Sequence, residues 1–211
     1  MRTVGILFGT ILTVFAGYFL MYSTGKNETG QKALIQLDGN QLVKAPILGT
    51  NVSGFPDKDL VDQDGESVQV EDLKGKRTLI SFIYTSCPDA QMCPLITEKM
   101  REIQSDLEGD ARDRVQFVSV TFDPETDTPK TLKHYGKQKN VNFANWSFWT
   151  GPTGTINALM DRFGITAKSE TGNDTMPHNM RTYIVDRDLK IQHAWRGSKW
   201  SEQDVAEALR P

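Results

Sequence analysis

The sequence predicts an α/β protein in which a mixed central sheet is flanked by helices and preceded by an N-terminal transmembrane helix. Three observations predict it. A long uncharged apolar run opens the chain, strand-like and helix-like patterns alternate through its middle, and a hairpin followed by a helix closes it.

The opening run, Val4 to Tyr22, carries no charge across nineteen residues. At helical rise it matches the hydrocarbon thickness of a bilayer. A cleavable signal peptide is the competing reading, but the run is longer than a usual signal core and no A-x-A site follows it. The expectation is therefore an uncleaved anchor over residues 1–24. Arg2 and the amino terminus lie on its short side, so the positive-inside tendency leaves the rest of the chain on the non-cytoplasmic side, periplasmic or extracellular. Residues 25–55 then read as a linker and irregular lead-in, polar from Ser23 to Gly30 and Gly-rich again from Gly49 to Pro56. Residues 56–211 are long enough for one domain with its own core.

Within that domain, Leu60-Val61 and Val68 to Val70 flank the turn signal Asp64-Gly65. Thr78 to Tyr84 (TLISFIY) is a continuous apolar run, rich in β-branched and aromatic residues, as a strand covered on both faces requires. Pro94 opens a helix whose apolar face is Leu95, Met100, Ile103 and Leu107, ending near Gly109. Val115 to Phe122 alternates like a strand, and Asp127-Thr128-Pro129 caps a helix through Tyr135. A short strand near Trp146 to Trp149 and a helix from about Thr155 to Phe163 follow. Thr182 to Val185 and Leu189 to Ala194 form a hairpin around Asp186-Arg187-Asp188, and Ser201 caps a last helix to Leu209. The order fits a thioredoxin-like fold, and the pattern alone also permits other α/β sandwiches.

Net charge is -3, with Lys and Arg scattered among Asp and Glu. No basic stripe marks a nucleic-acid partner.

The chain has two cysteines, Cys87 and Cys93, in Tyr84-Thr85-Ser86-Cys87-Pro88-Asp89-Ala90-Gln91-Met92-Cys93-Pro94, between a buried strand and the helix it feeds. A helix N-terminus favours the thiolate, which is both the reactive and the metal-binding form. A structural disulfide is the plain alternative for two cysteines in an exported chain. Zinc is another, although a structural zinc site usually takes four protein ligands and no third cysteine exists.

FIYTSCP followed by CPL at a strand-to-helix junction resembles the active loop of the Sco/SenC family, whose members are thioredoxin-like, copper-binding proteins of cytochrome c oxidase assembly. Leu73-Lys74-Gly75-Lys76 resembles the family's L-x-G-K stretch, and Ser119 to Pro129 (SVTFDPETDTP) its S-V-D-P-x-x-D-T-P segment, with Leu132 and Tyr135 continuing the match. The resemblance runs from about Pro56 to Leu209. The commonest family loop has three residues between its cysteines; this one has five.

The resemblance implies that His178, in Met176-Pro177-His178-Asn179-Met180 ahead of Tyr183-Ile184-Val185-Asp186, completes a copper site with Cys87 and Cys93. Two soft thiolates suit copper(I), and an imidazole lets the site hold copper(II). The implied partner is a copper-accepting cytochrome c oxidase subunit or another exported copper protein. The alternative is a thiol-disulfide oxidoreductase in which Cys87 and Cys93 are the catalytic pair, reducing acceptor cysteines or sensing redox state. Met92, Met176 and Met180 are nearby thioethers whose ordinary role is packing. His134, on a surface helix, and His193, on a strand, are the other histidines. Asp123 and Asp127 are accounted for by a turn and a helix N-cap. The resemblance adds a supporting or partner-docking role for Asp123.

Overall fold

The computed structural model describes residues 34–36, 42–44, 48–55, 59–107, 110–167 and 178–210. All of them lie in the unit Lys32–Pro211. The anchor expected at residues 1–24 falls outside the described residues, and among those described no helix is long and apolar enough to cross a membrane.

The chain begins with a small antiparallel pair, β1 (Leu34–Gln36) and β2 (Leu42–Lys44). The main sheet has the order β5-β4-β3-β6-β7. Its centre is β3 (Arg77–Ile83), parallel to β4 (Val115–Thr121) on one side and antiparallel to β6 (Arg181–Val185) on the other. The strand β5 (Trp146–Trp149) extends the parallel half, and β7 (Ile191–Arg196) the antiparallel half. Connecting β3 to β4 are α1 (Cys93–Asp106) and the short α2 (Asp110–Arg114); α3 (Pro129–Gln138) connects β4 to β5. After β5 comes α4 (Thr153–Phe163), and α5 (Glu202–Leu209) closes the chain. This is the mixed, helix-flanked sheet of a thioredoxin-like fold.

Continuous apolar runs give continuous burial. Every residue of β3 after Arg77 is buried, as is the whole of β6. Edge strand β7 is buried at its first residue, Ile191, and largely exposed beyond it. Aromatic side chains fill one end of the sheet, where Trp146 stacks on Phe117 at 5.3 Å and on Phe148 at 5.7 Å. Elsewhere Phe163 of α4 sits 5.3 Å from both Phe82 and Tyr183, and the Tyr183 hydroxyl donates to the Phe163 carbonyl. Both fasten α4 to the middle of the sheet.

One local reading is corrected. Val68 to Val70 does not form a strand opposite Leu60-Val61: a single bridge joins Val61 to Ser67, and Val70–Leu73 is a 3-10 turn. The Asp72 carboxylate accepts from the Gln69 amide, so Gln69 caps a turn where a strand was expected. The lead-in is irregular as expected, and within its described residues 49–55 it is tied to the sheet, because Gly49 and Val52 donate to the carbonyls of Ile191 and Leu189 and Ile191 donates to Thr50. Val52 is fully buried there.

Candidate metal centre

The cysteine loop leaves β3 at the end where β4 also finishes and β6 begins, so the site lies beyond the carboxyl ends of the two central parallel strands. Cys87 N–H donates weakly to Tyr84 at 3.4 Å, closing a turn over Thr85 and Ser86. A second turn follows: Met92 N–H donates to the Asp89 carbonyl at 3.0 Å, and the Asp89 carboxylate accepts from Gln91 N–H at 2.8 Å. That turn holds most of the residues between the cysteines. Its exposed tip, Ala90-Gln91, stands off the site.

Cys93 is the first residue of α1 and is fully buried, whereas Cys87 is half-buried and turns its sulfur toward the Asp89 carbonyl at 3.7 Å. Both thiols are free, so no disulfide joins them here. The expectation that the helix N-terminus lowers the pKa of this pair is corrected at Cys93. Burial pushes its thiol well above the usual cysteine range; the backbone at Tyr84 pulls it back in part, and Cys87 beside it adds to the rise. Desolvation outweighs the helix end because the sulfur lies inside the core.

Cys93 Sγ lies 3.7 Å from His178 Nε2. The imidazole is wedged between two aromatic rings, 4.6 Å from Phe122 and edge-on to Tyr84 at 5.7 Å. Its backbone is fixed by the end of α4. Gly164 ends that helix in the left-handed conformation, φ +62°, and its carbonyl accepts from Asn179 Nδ2 at 2.9 Å. Asn179 also exchanges hydrogen bonds with Thr166, and Ala167 bridges to His178.

The structure thus brings Cys93 and His178 together, with Cys87 as neighbour. Among the described residues no three His, Cys, Asp or Glu side chains already surround one metal-sized point, although the Cys87 side chain lies close enough to Cys93 to interact with its thiol. Exposed His134 sits on α3, and exposed His193 stacks on Trp195 at 5.4 Å on β7. Met92 and Met180 are half-buried, with Met180 packed on the core. Met176 lies outside the described residues. Asp123 is half-buried and serves the turn expected of it, its carbonyl accepting from Thr126 and Asp127.

Asp127 is not an N-cap. Thr128 is, with its hydroxyl accepting from Thr131 N–H at 3.2 Å. Asp127 is instead fully buried, and it accepts hydrogen bonds from Thr85 and Thr121. Burial raises its pKa against these hydrogen bonds, which lower it. The folded chain therefore holds this proton to higher pH than the unfolded chain. Its contribution to stability is full below the ordinary carboxylate range and is lost as pH rises through the elevated folded value. Urea denaturation from acid to neutral pH is expected to show wild type losing stability relative to Asp127→Asn across that interval. A pH-independent difference contradicts the raised pKa.

On the Cys93 side, Thr97 donates to the Cys93 carbonyl at 3.0 Å and meets the buried Tyr135 hydroxyl at 3.0 Å. Thr85 and Asn179 are not marked by the sequence, and Asp127 is marked only as a helix N-cap. The nearest available signal was the DTP triplet, which had a sufficient local explanation.

The SCO1/SenC family model matches residues 55–211. A SCO1 protein homolog of Bacillus subtilis (strain 168) is 33% identical over 161 residues, 75% of this chain and 80% of that protein. ScoI of Bradyrhizobium japonicum, solved with copper bound, matches with a TM-score of 0.58 at 30% identity, over 77% of this chain and 98% of that one. BsSco, a member of the Sco family of cytochrome c oxidase assembly proteins in which a disulfide switch was identified, matches with a TM-score of 0.64 at 31% identity, over 80% of this chain and 96% of its own. With the match spanning the sheet, the cysteine loop and the histidine segment, this chain belongs to the SCO1/SenC family.

Proposed function

We propose that this chain is a membrane-tethered copper-binding protein that delivers copper to a copper centre of respiratory cytochrome c oxidase during assembly, with Cys87, Cys93 and His178 as the ligands. The observation that carries this reading is the 3.7 Å approach of Cys93 Sγ to His178 Nε2, beside a half-buried second thiol. Two soft sulfurs and one imidazole are a donor set that accepts copper in either oxidation state. The aromatic walls, Tyr84 and Phe122, shelter the imidazole and fix its plane. Cys87 is the more accessible sulfur donor, already beside Cys93, and copper binding releases the thiol protons. Transfer then proceeds by exchange of thiolates with the acceptor, His178 being the ligand most readily released. The anchor read in residues 1–24 keeps domain 56–211 on the non-cytoplasmic face, where an oxidase subunit or another exported copper protein receives the metal.

A second reading, thiol-disulfide exchange, is favoured by the asymmetry of the two free thiols. The more accessible Cys87 thiolate attacks an acceptor disulfide, forming a mixed disulfide and releasing one acceptor thiolate. Cys93 then attacks the Cys87 sulfur and releases the second, so two electrons pass to the acceptor and a Cys87–Cys93 disulfide remains.

Deletion of the gene is expected to lower copper-dependent oxidase activity, and added copper to restore it in part, because mass action replaces a carrier. Rescue by a small thiol reductant where copper fails assigns the exchange reading instead. Normal oxidase activity at limiting copper, in a strain without a paralogue, removes both.

A further inference from the structure

Asp127 is costly where it stands. Its carboxylate is fully buried, and no lysine, arginine or histidine among the described residues forms an ion pair with it. Helix capping does not explain it, since Thr128 performs that task. All three hydrogen bonds it accepts come from neutral donors, and two of those donors belong to one residue of the cysteine loop. Oδ2 accepts from Thr85 N–H at 3.0 Å and from the Thr121 hydroxyl at 2.6 Å, while Oδ1 accepts from the Thr85 hydroxyl at 2.5 Å.

Thr85 is the second residue of the Tyr84–Cys87 turn. That turn is closed by a single 3.4 Å bond, weak by the usual measure of a backbone hydrogen bond. The Cys93 arm needs no such help, because it is the first residue of α1 and Thr97 holds its carbonyl. The Cys87 arm is not part of a helix; Cys87 rests half-buried against the edge of the core, and among the described residues the side-chain hydrogen bonds that tie this arm to the carboxylate are those of Thr85.

We propose that Asp127 is the positioning residue for Cys87: by gripping both the backbone and the hydroxyl of Thr85 it sets the turn that presents the Cys87 sulfur to Cys93 and His178. The consequence for copper rests on the proposed ligand set; the consequence for the thiol itself does not.

Asparagine can occupy the same place. Its oxygen replaces Oδ2 and keeps both donors found there, and its amide nitrogen replaces Oδ1 and donates to the Thr85 hydroxyl, which accepts as readily as it donates. Alanine keeps none of these bonds. Position and charge are therefore separable.

The test compares alkylation of Cys87 with that of Cys93 in the reduced, metal-free chain, read by mass spectrometry, alongside copper(I) affinity. Asp127→Ala is expected to raise the Cys87 to Cys93 alkylation ratio by about tenfold and to weaken copper(I) by a similar factor, since both hydrogen bonds that hold Thr85 are lost together. Asp127→Asn is expected to stay within about twofold of wild type in both. Thr85→Ala, which leaves the carboxylate in place, should reproduce the alanine result, and it carries the test if Asp127→Ala does not fold. Leu132→Ala, a buried α3 truncation with no hydrogen bond to the loop, controls for lost stability and should leave the ratio unchanged. An unchanged ratio in both Asp127→Ala and Thr85→Ala overturns the proposal, as does an equal rise in Leu132→Ala. An asparagine variant that behaves like alanine also overturns it, because charge and not position is then at work. If the ratio shifts as expected while wild type binds no copper, the ligand assignment fails and the positioning of Cys87 stands.

Discussion

Cys87→Ser and Cys93→Ser should each abolish stoichiometric copper(I) binding, while wild type holds one copper per chain. Each variant leaves one sulfur and the His178 imidazole, too few soft donors to retain copper(I) against competing chelators. The two variants should differ in what else they lose. Cys93 is fully buried at the head of α1, so its serine hydroxyl takes a place in the core and costs stability as well as metal. Cys87 is half-buried in the loop, and its serine should leave the unfolding transition close to that of wild type. Metal content after dialysis and denaturant melts on the same samples check both statements. Stoichiometric copper in the double serine variant sinks the site assignment.

His178→Ala is expected to divide the two oxidation states. Copper(I) accepts linear coordination by two thiolates, so its affinity should survive in large part. Copper(II) needs the harder nitrogen, and its affinity should fall by about two orders of magnitude. The charge-transfer band of a thiolate-copper(II) site, followed in a copper(II) titration, reports the loss directly. His134→Ala on α3 and His193→Ala on β7 are the controls, both exposed positions. If either control removes the copper(II) signal while His178→Ala keeps it, the histidine has been assigned wrongly.

Most of the scaffold was legible because its signals are local. Thr78 to Tyr84 read as a buried strand from a continuous apolar run, and all of it but Tyr84 lies in β3; Ser201 read as an N-cap that the structure bears out, with its hydroxyl accepting from Asp204 N–H at 3.1 Å. Where a local signal had two sufficient explanations, the wrong one was available. The triplet Asp127-Thr128-Pro129 contains two good capping residues, and only the tertiary fold decides that Thr128 caps while Asp127 reaches Thr85, 42 residues away in sequence. Val68 to Val70 failed for the opposite reason: three residues with a nearby capping partner in Asp72 lack the length to hold a strand against a turn.

The site divided along the same line. That Cys87 and Cys93 lie between strand and helix followed from periodicity, and His178 came only from family resemblance. Nothing local places an imidazole beside a sulfur 85 residues earlier. The ties that hold it there, from Asn179 to the carbonyl of Gly164 and to Thr166, join a strand's approach to the end of a distant helix. Nor does position in the chain reveal that burial at Cys93 overrides the helix dipole, because that depends on what packs over the sulfur.

The turn from Asp89 to Met92 makes residue count a poor ruler for the distance between the two sulfurs. Because the turn closes on itself through the Asp89 carbonyl and carboxylate, its tip is a surface protrusion whose length and composition can drift without tugging on either anchor point. A pattern that demands fixed spacing between the cysteines passes over such a chain. One built on the strand before, the helix after and the threonine held from below does not.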